Sequence, residues 1–123
     1  MFVTLFAFAV SAMEPQAAPV RPSVVVTAPA ASETMRCAGL TQAASELNGD
    51  RPGDAGAAKR LYDAGLYWAL TAMQAARSAG RTEEAAEADQ TRLRTEALAR
   101  LREGSADAQA DLARCLAQTP NLD

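Results

Sequence analysis

A chain of 123 residues with a net charge of −3 has room for one domain, and its 12 basic and 15 acidic residues are interspersed along it. That pattern argues against nucleic-acid binding, which needs concentrated positive charge to displace counterions, and against a polybasic membrane-surface motif. The complete absence of histidine removes the commonest general base, the commonest metal ligand and every Ser-His or Cys-His arrangement.

Hydrophobic residues make up 49% of the chain, but many are alanine, which favours helix and buries little area. The aromatics are Phe2, Phe6, Phe8, Tyr62, Tyr67 and Trp68. Half of them fall in the first eight residues, so the remainder keeps one Trp and two Tyr. A core this poor in large side chains is marginal at this size, and a covalent staple gains importance.

Residues 1–12, MFVTLFAFAVSA, read as a signal peptide. The run from Phe2 to Val10 is apolar apart from Thr4 and far too short to span a bilayer. Val10 and Ala12 suit the −3 and −1 positions of a small-residue cleavage site before Met13. No Lys or Arg precedes the run, which implies an atypical signal or a start upstream of Met1. The competing reading is an apolar N-terminal helix packed on the domain. The expected location is the periplasm or the exterior, with no stable membrane span after cleavage. Two cysteines in a small exported chain predict one disulfide, Cys37 to Cys115. The lack of a CxxC motif argues against a thioredoxin-type redox site.

Residues 13–31 contain Pro15, Pro19, Pro22 and Pro29, a density that predicts a disordered, extended linker rich in Pro, Ala and Val. Within it, Val24, Val25, Val26 and Thr27 form a β-prone run suited to pairing with the exposed sheet edge of a partner. The segment Ser23–Ala28, SVVVTA, resembles the short box near the mature N-terminus of TonB-dependent outer-membrane receptors. The resemblance implies strand pairing with TonB in the periplasm. It covers these residues alone, and it departs from the pattern in lacking the acidic residue before the valines and the β-barrel that normally follows.

Residues 32–123 read as one all-α domain, a compact bundle of about four helices stapled by the disulfide. Ser32 suits the first N-cap, and Cys37, Leu40, Ala44 and Leu47 share one helical face. Asn48-Gly49 ends that helix, and a loop with Pro52 follows. The second helix, from about Asp54 to Ala79, carries a polar stripe that includes Asp63, Tyr67 and Arg77. Leu61, Gly65, Trp68, Ala72 and Ala76 mark its apolar side, and Tyr62, Leu66, Ala69, Leu70 and Met73 widen the arc. This breadth predicts a helix touching two neighbours at the centre of the bundle. Thr82 caps a third helix whose first half, 83–92, is polar or alanine and is expected to be solvated. Leu93, Ala97, Leu98 and Leu101 give that helix its core face. Ser105 caps a fourth helix with Ala108, Leu112, Cys115 and Leu116 on one side, and Pro120 ends it. The second and third helices resemble a tetratricopeptide hairpin superficially, but Arg77 falls where that repeat needs a small residue and no second copy follows.

Two cysteines are too few for structural zinc, and no nucleotide-binding or EF-hand motif occurs, so no cofactor and no metal are expected. Glu83, Glu84, Glu87 and Asp89 cluster at one helix start, where acidic side chains complement the helix dipole. Tyr62, Asp63, Tyr67, Trp68 and Arg77 are the candidate contacts for a partner or ligand, because aromatics and arginine dominate binding hot spots. The expected function is a non-enzymatic protein-interaction module of the accessory, inhibitor, immunity or chaperone-like kind. The alternatives are a small-ligand-binding bundle and, against the missing histidine, an enzyme using carboxylates. An internal apolar pocket near Trp68 would favour a ligand, and an exposed apolar patch would favour a protein partner.

Overall fold

A computed structural model describes residues 31–49 and 53–122. The predicted signal peptide, the cleavage site, nearly all of the linker and the Val24–Thr27 run lie outside these residues. The described chain is all-helical, with α1 (Ala31–Gly49), α2 (Ala55–Ser78), α3 (Glu83–Arg102) and α4 (Ala106–Ala117). The helix starts follow local side-chain chemistry. Asp54 accepts from the Gly56 N–H at 2.9 Å. Thr82 and Ser105 each accept an N–H three residues on, from Ala85 and Ala108, at 3.2 Å. These bonds satisfy donors that have no partner within the helix. Helices α2 and α3 are followed by Gly80 and Gly104 at φ of 78° and 73°, a left-handed conformation that only glycine adopts without strain. At the first helix the structure differs slightly from the sequence reading: α1 begins at Ala31, so Ser32 lies inside its first turn.

The centre of the bundle is α1, a correction to the sequence-based expectation of α2. Helix α1 packs on α2 and α3 over much of its length and reaches α4 as well. Residues on all of its sides are buried, among them Thr34, Cys37, Ala38, Leu40, Thr41 and Ala43. A helix enclosed in this way needs small side chains more than large ones, because neighbouring backbones must come close on several sides. Gly39 shows how close: a Cβ built there would lie 2.8 Å from the backbone carbonyl carbon of Leu93. Thr41 tolerates complete burial because its hydroxyl donates to the Cys37 carbonyl at 2.7 Å. Gly65, on the apolar side of α2, has ordinary room, with the nearest atom 3.6 Å from a built Cβ.

A second correction concerns α3. Its first half is not simply solvated, since Ala86 is 1% exposed. Farther along, Gln90 donates to the Ala69 carbonyl of α2 at 3.1 Å and accepts from Gln42 of α1 at 3.2 Å. An alanine and a glutamine therefore dock this half where large apolar residues are missing.

The disulfide between Cys37 and Cys115 joins α1 to α4, with the Cα atoms 5.5 Å apart. Both cysteines are completely buried and Trp68 packs in the same core. Among the described residues, no helix is long and apolar enough to cross a membrane.

Candidate functional site

The five candidate contact residues are not brought to one place. Trp68 points inward and is 1% exposed. Its indole Nε1 donates to the Thr119 hydroxyl at 2.8 Å, so the polar edge of the ring is satisfied within the fold. Tyr67 is half-buried, with its ring centroid 5.1 Å from that of Trp68 and the planes at 77°, an edge-to-face pair. Asp63 accepts from Lys59 Nζ at 2.8 Å, an ion pair one helical turn long with the lysine largely in solvent. Such surface pairs contribute little stability. Arg77 is exposed in the last turn of α2, where a cation complements the helix end.

Tyr62 differs from the other four. It is 59% exposed, and Leu66 and Leu70, one and two turns further along α2, are 48% and 66% exposed. The three form an apolar row about 12 Å long at the 1.5 Å rise of a helix. Beside the row runs an open groove of ≈ 360 Å³ between α1, α2 and α3. Tyr62, Gly65, Leu66 and Ala69 form one wall, Gln42 and Ser45 of α1 the other, and Glu46 and Arg94 also line it. Gln90 hydrogen-bonds to both Gln42 and Ala69, so the groove's two walls are tied to each other through α3.

The sequence places Leu66 and Leu70 in the apolar arc, where they are expected to pack between helices. With α1 at the centre, α2 sits on the periphery, and part of that arc has no helix to cover it. The excess width of the arc is the signal in the sequence. The opposite side of α2, through Ala64, Trp68, Ala72 and Ala76, is the side that enters the core.

Among the described residues, no three of His, Cys, Asp and Glu converge as they would around a metal ion. Comparison with protein-family models, curated proteins and solved structures found no match to this chain.

Proposed function

We propose that this chain is a small exported protein, periplasmic or secreted, that works as a non-enzymatic interaction module and docks a partner on the outer face of α2. The observation that carries the reading is the exposed row of Tyr62, Leu66 and Leu70 beside its groove. Covering a large apolar side chain is worth roughly 1.5–3 kcal/mol, so three in register supply a central patch for association. A row at one-turn spacing suits an amphipathic helix laid along the groove, the geometry of helix-in-groove recognition. Trp68, by contrast, is sealed in the core and offers no ring face to a ligand. The disulfide fits an oxidising compartment.

The test compares the natural protein with Leu66→Asp/Leu70→Asp, both used as bait in the host periplasm. Both substitutions lie on solvent-exposed positions, so the melting temperature should hold. One stoichiometric partner retained by the natural protein and lost by the variant supports the reading. Equal retention by both, or recovery of the natural protein alone, rejects it. Mass spectrometry of the host's protein addresses export separately, with a mature N-terminus near Met13 as the expected result.

A further inference from the structure

Both cysteines occur in the same dipeptide, Arg36-Cys37 and Arg114-Cys115. The disulfide that fixes the cysteine Cα atoms 5.5 Å apart therefore also brings near each other the backbones of two arginines from opposite ends of the domain sequence. Both arginines line one open cleft of ≈ 890 Å³, which shares no lining residue with the α2 groove. Arg81 and Arg92 line the same cleft, so four of the chain's 12 basic residues meet in a protein whose net charge is −3. The clustering is invisible along the chain because the four residues span positions 36 to 114.

These guanidiniums are only partly neutralised. Arg81 and Arg92 share Asp89, at 2.7 and 3.7 Å. Arg92 also approaches Glu96 at 3.6 Å, and Arg114 approaches Asp111 at 3.2 Å, each a pair within one helix with the arginine about half exposed. Exposed pairs of this kind are weak and exchange readily with an incoming carboxylate. Arg36 forms no ion pair among the described residues. Arg36 and Arg114 line the same cleft, so an anion bound there can meet both guanidiniums. The cleft also has apolar surface, with Met35, Ala76 and Leu93 among its lining.

We propose that this cleft binds an acidic peptide segment of a partner protein, with Arg36 and Arg114 gripping its carboxylates. Arginine presents a planar fork that matches a carboxylate in bidentate fashion. An acidic peptide is favoured over nucleic acid because the four arginines form one short cluster, interrupted by Glu33 and Asp89, and not the extended positive surface that a phosphate backbone needs. A concave cleft does not fit a flat lipid surface. Residues 1–30 of the chain itself carry one acid, Glu14, and one base, Arg21, so they do not supply the missing charge.

The experiment is fluorescence anisotropy with a dye-labelled Glu-Asp-Leu-Glu-Asp-Leu peptide and the full oxidised protein, at low and at physiological salt. Binding is expected to weaken as salt rises through about 0.15 M, where charges beyond roughly 8 Å are screened. Arg36→Ser/Arg114→Ser should weaken binding by at least about tenfold, equivalent to about 1.4 kcal/mol. Both positions are exposed, so the melting temperature of this variant should be unchanged or higher. Arg60→Ser/Arg102→Ser removes the same charge elsewhere and should leave binding unchanged. Equal weakening by both double variants, no binding of the peptide by the natural protein, or tighter binding of a single-stranded oligonucleotide or of phosphatidylglycerol vesicles would each overturn the proposal. Variants on the α2 row leave this assay untouched, so the two surfaces stand or fall separately.

Discussion

Trp68 and Thr119 form a relay across the bottom of the core. The indole Nε1 donates to the Thr119 hydroxyl at 2.8 Å, and that hydroxyl donates to the Cys115 carbonyl at 2.8 Å. One short polar side chain just beyond the end of α4 thus satisfies the largest buried side chain in the domain. It also anchors that side chain to the helix turn that holds the disulfide. Replacing Thr119 by Val keeps the volume and removes both bonds. The buried indole N–H then lacks a partner, and the expected loss is about 1–3 kcal/mol. Thr119→Ser keeps the hydroxyl and should recover most of it. Urea titrations followed by Trp68 fluorescence measure both, and a Val variant as stable as the natural protein would show that the relay contributes nothing.

The Cys37–Cys115 bond closes a span of 78 residues, and chain entropy puts its contribution at about 4.5 kcal/mol. The core it staples is built largely from alanine around one tryptophan, so this is a large part of a total of roughly 5–15 kcal/mol. Cys37→Ala and Cys115→Ala should each lower the melting temperature strongly, and the double variant should lose little more than either single one. Because both cysteines are consumed by the bond, a thiol reagent should find no reactive group even on protein unfolded without reductant. Melts with and without reductant complete the test. Two titratable thiols, or single variants whose losses add, would remove the bond from the account of stability.

Much of this fold is legible in the chain because its punctuation is local. Asp54, Thr82 and Ser105 cap helices, Gly80 and Gly104 end them, and each signal is contained within a few residues. The cysteine pairing was readable for a different reason: both residues lie on apolar helix faces, and no other thiol competes. The identity of the central helix was not readable by the same route. Large apolar residues on α2 pointed to it, whereas burial on several sides selected the small residues of α1. The exposed row was hidden for the same reason, since Tyr62, Leu66 and Leu70 look like core until the neighbour expected to cover them is found elsewhere. Gln90 was missed because a polar residue on a polar stretch carries no sign that its amide reaches two other helices. The arginine cleft depends on tertiary proximity alone.

Two glycines separate close packing from mere helix weakness. At Gly39, the Cβ of an alanine would lie 2.8 Å from the Leu93 carbonyl carbon and 3.0 Å from the Arg94 nitrogen. Both are backbone atoms, so relief requires α1 and α3 to move apart and not merely a rotamer change. Because α1 is the element on which the other helices pack, that movement also loosens the surrounding alanine contacts. At Gly65, the nearest atom to a built Cβ is the Cγ of Gln42, at 3.6 Å, which is ordinary contact with a flexible side chain. Both glycines lie inside helices, where alanine is intrinsically better by roughly 0.5–1 kcal/mol. The same substitution should therefore act with opposite signs. Gly39→Ala is expected to destabilise by about 1–3 kcal/mol, as overpacking outweighs the helical gain. Gly65→Ala should stabilise by up to about 1 kcal/mol and raise the melting temperature by a few degrees. Paired thermal melts of the oxidised proteins decide the matter. A stabilising Gly39→Ala would mean that α1 and α3 do not approach as closely as described, and the central position of α1 would fall with it.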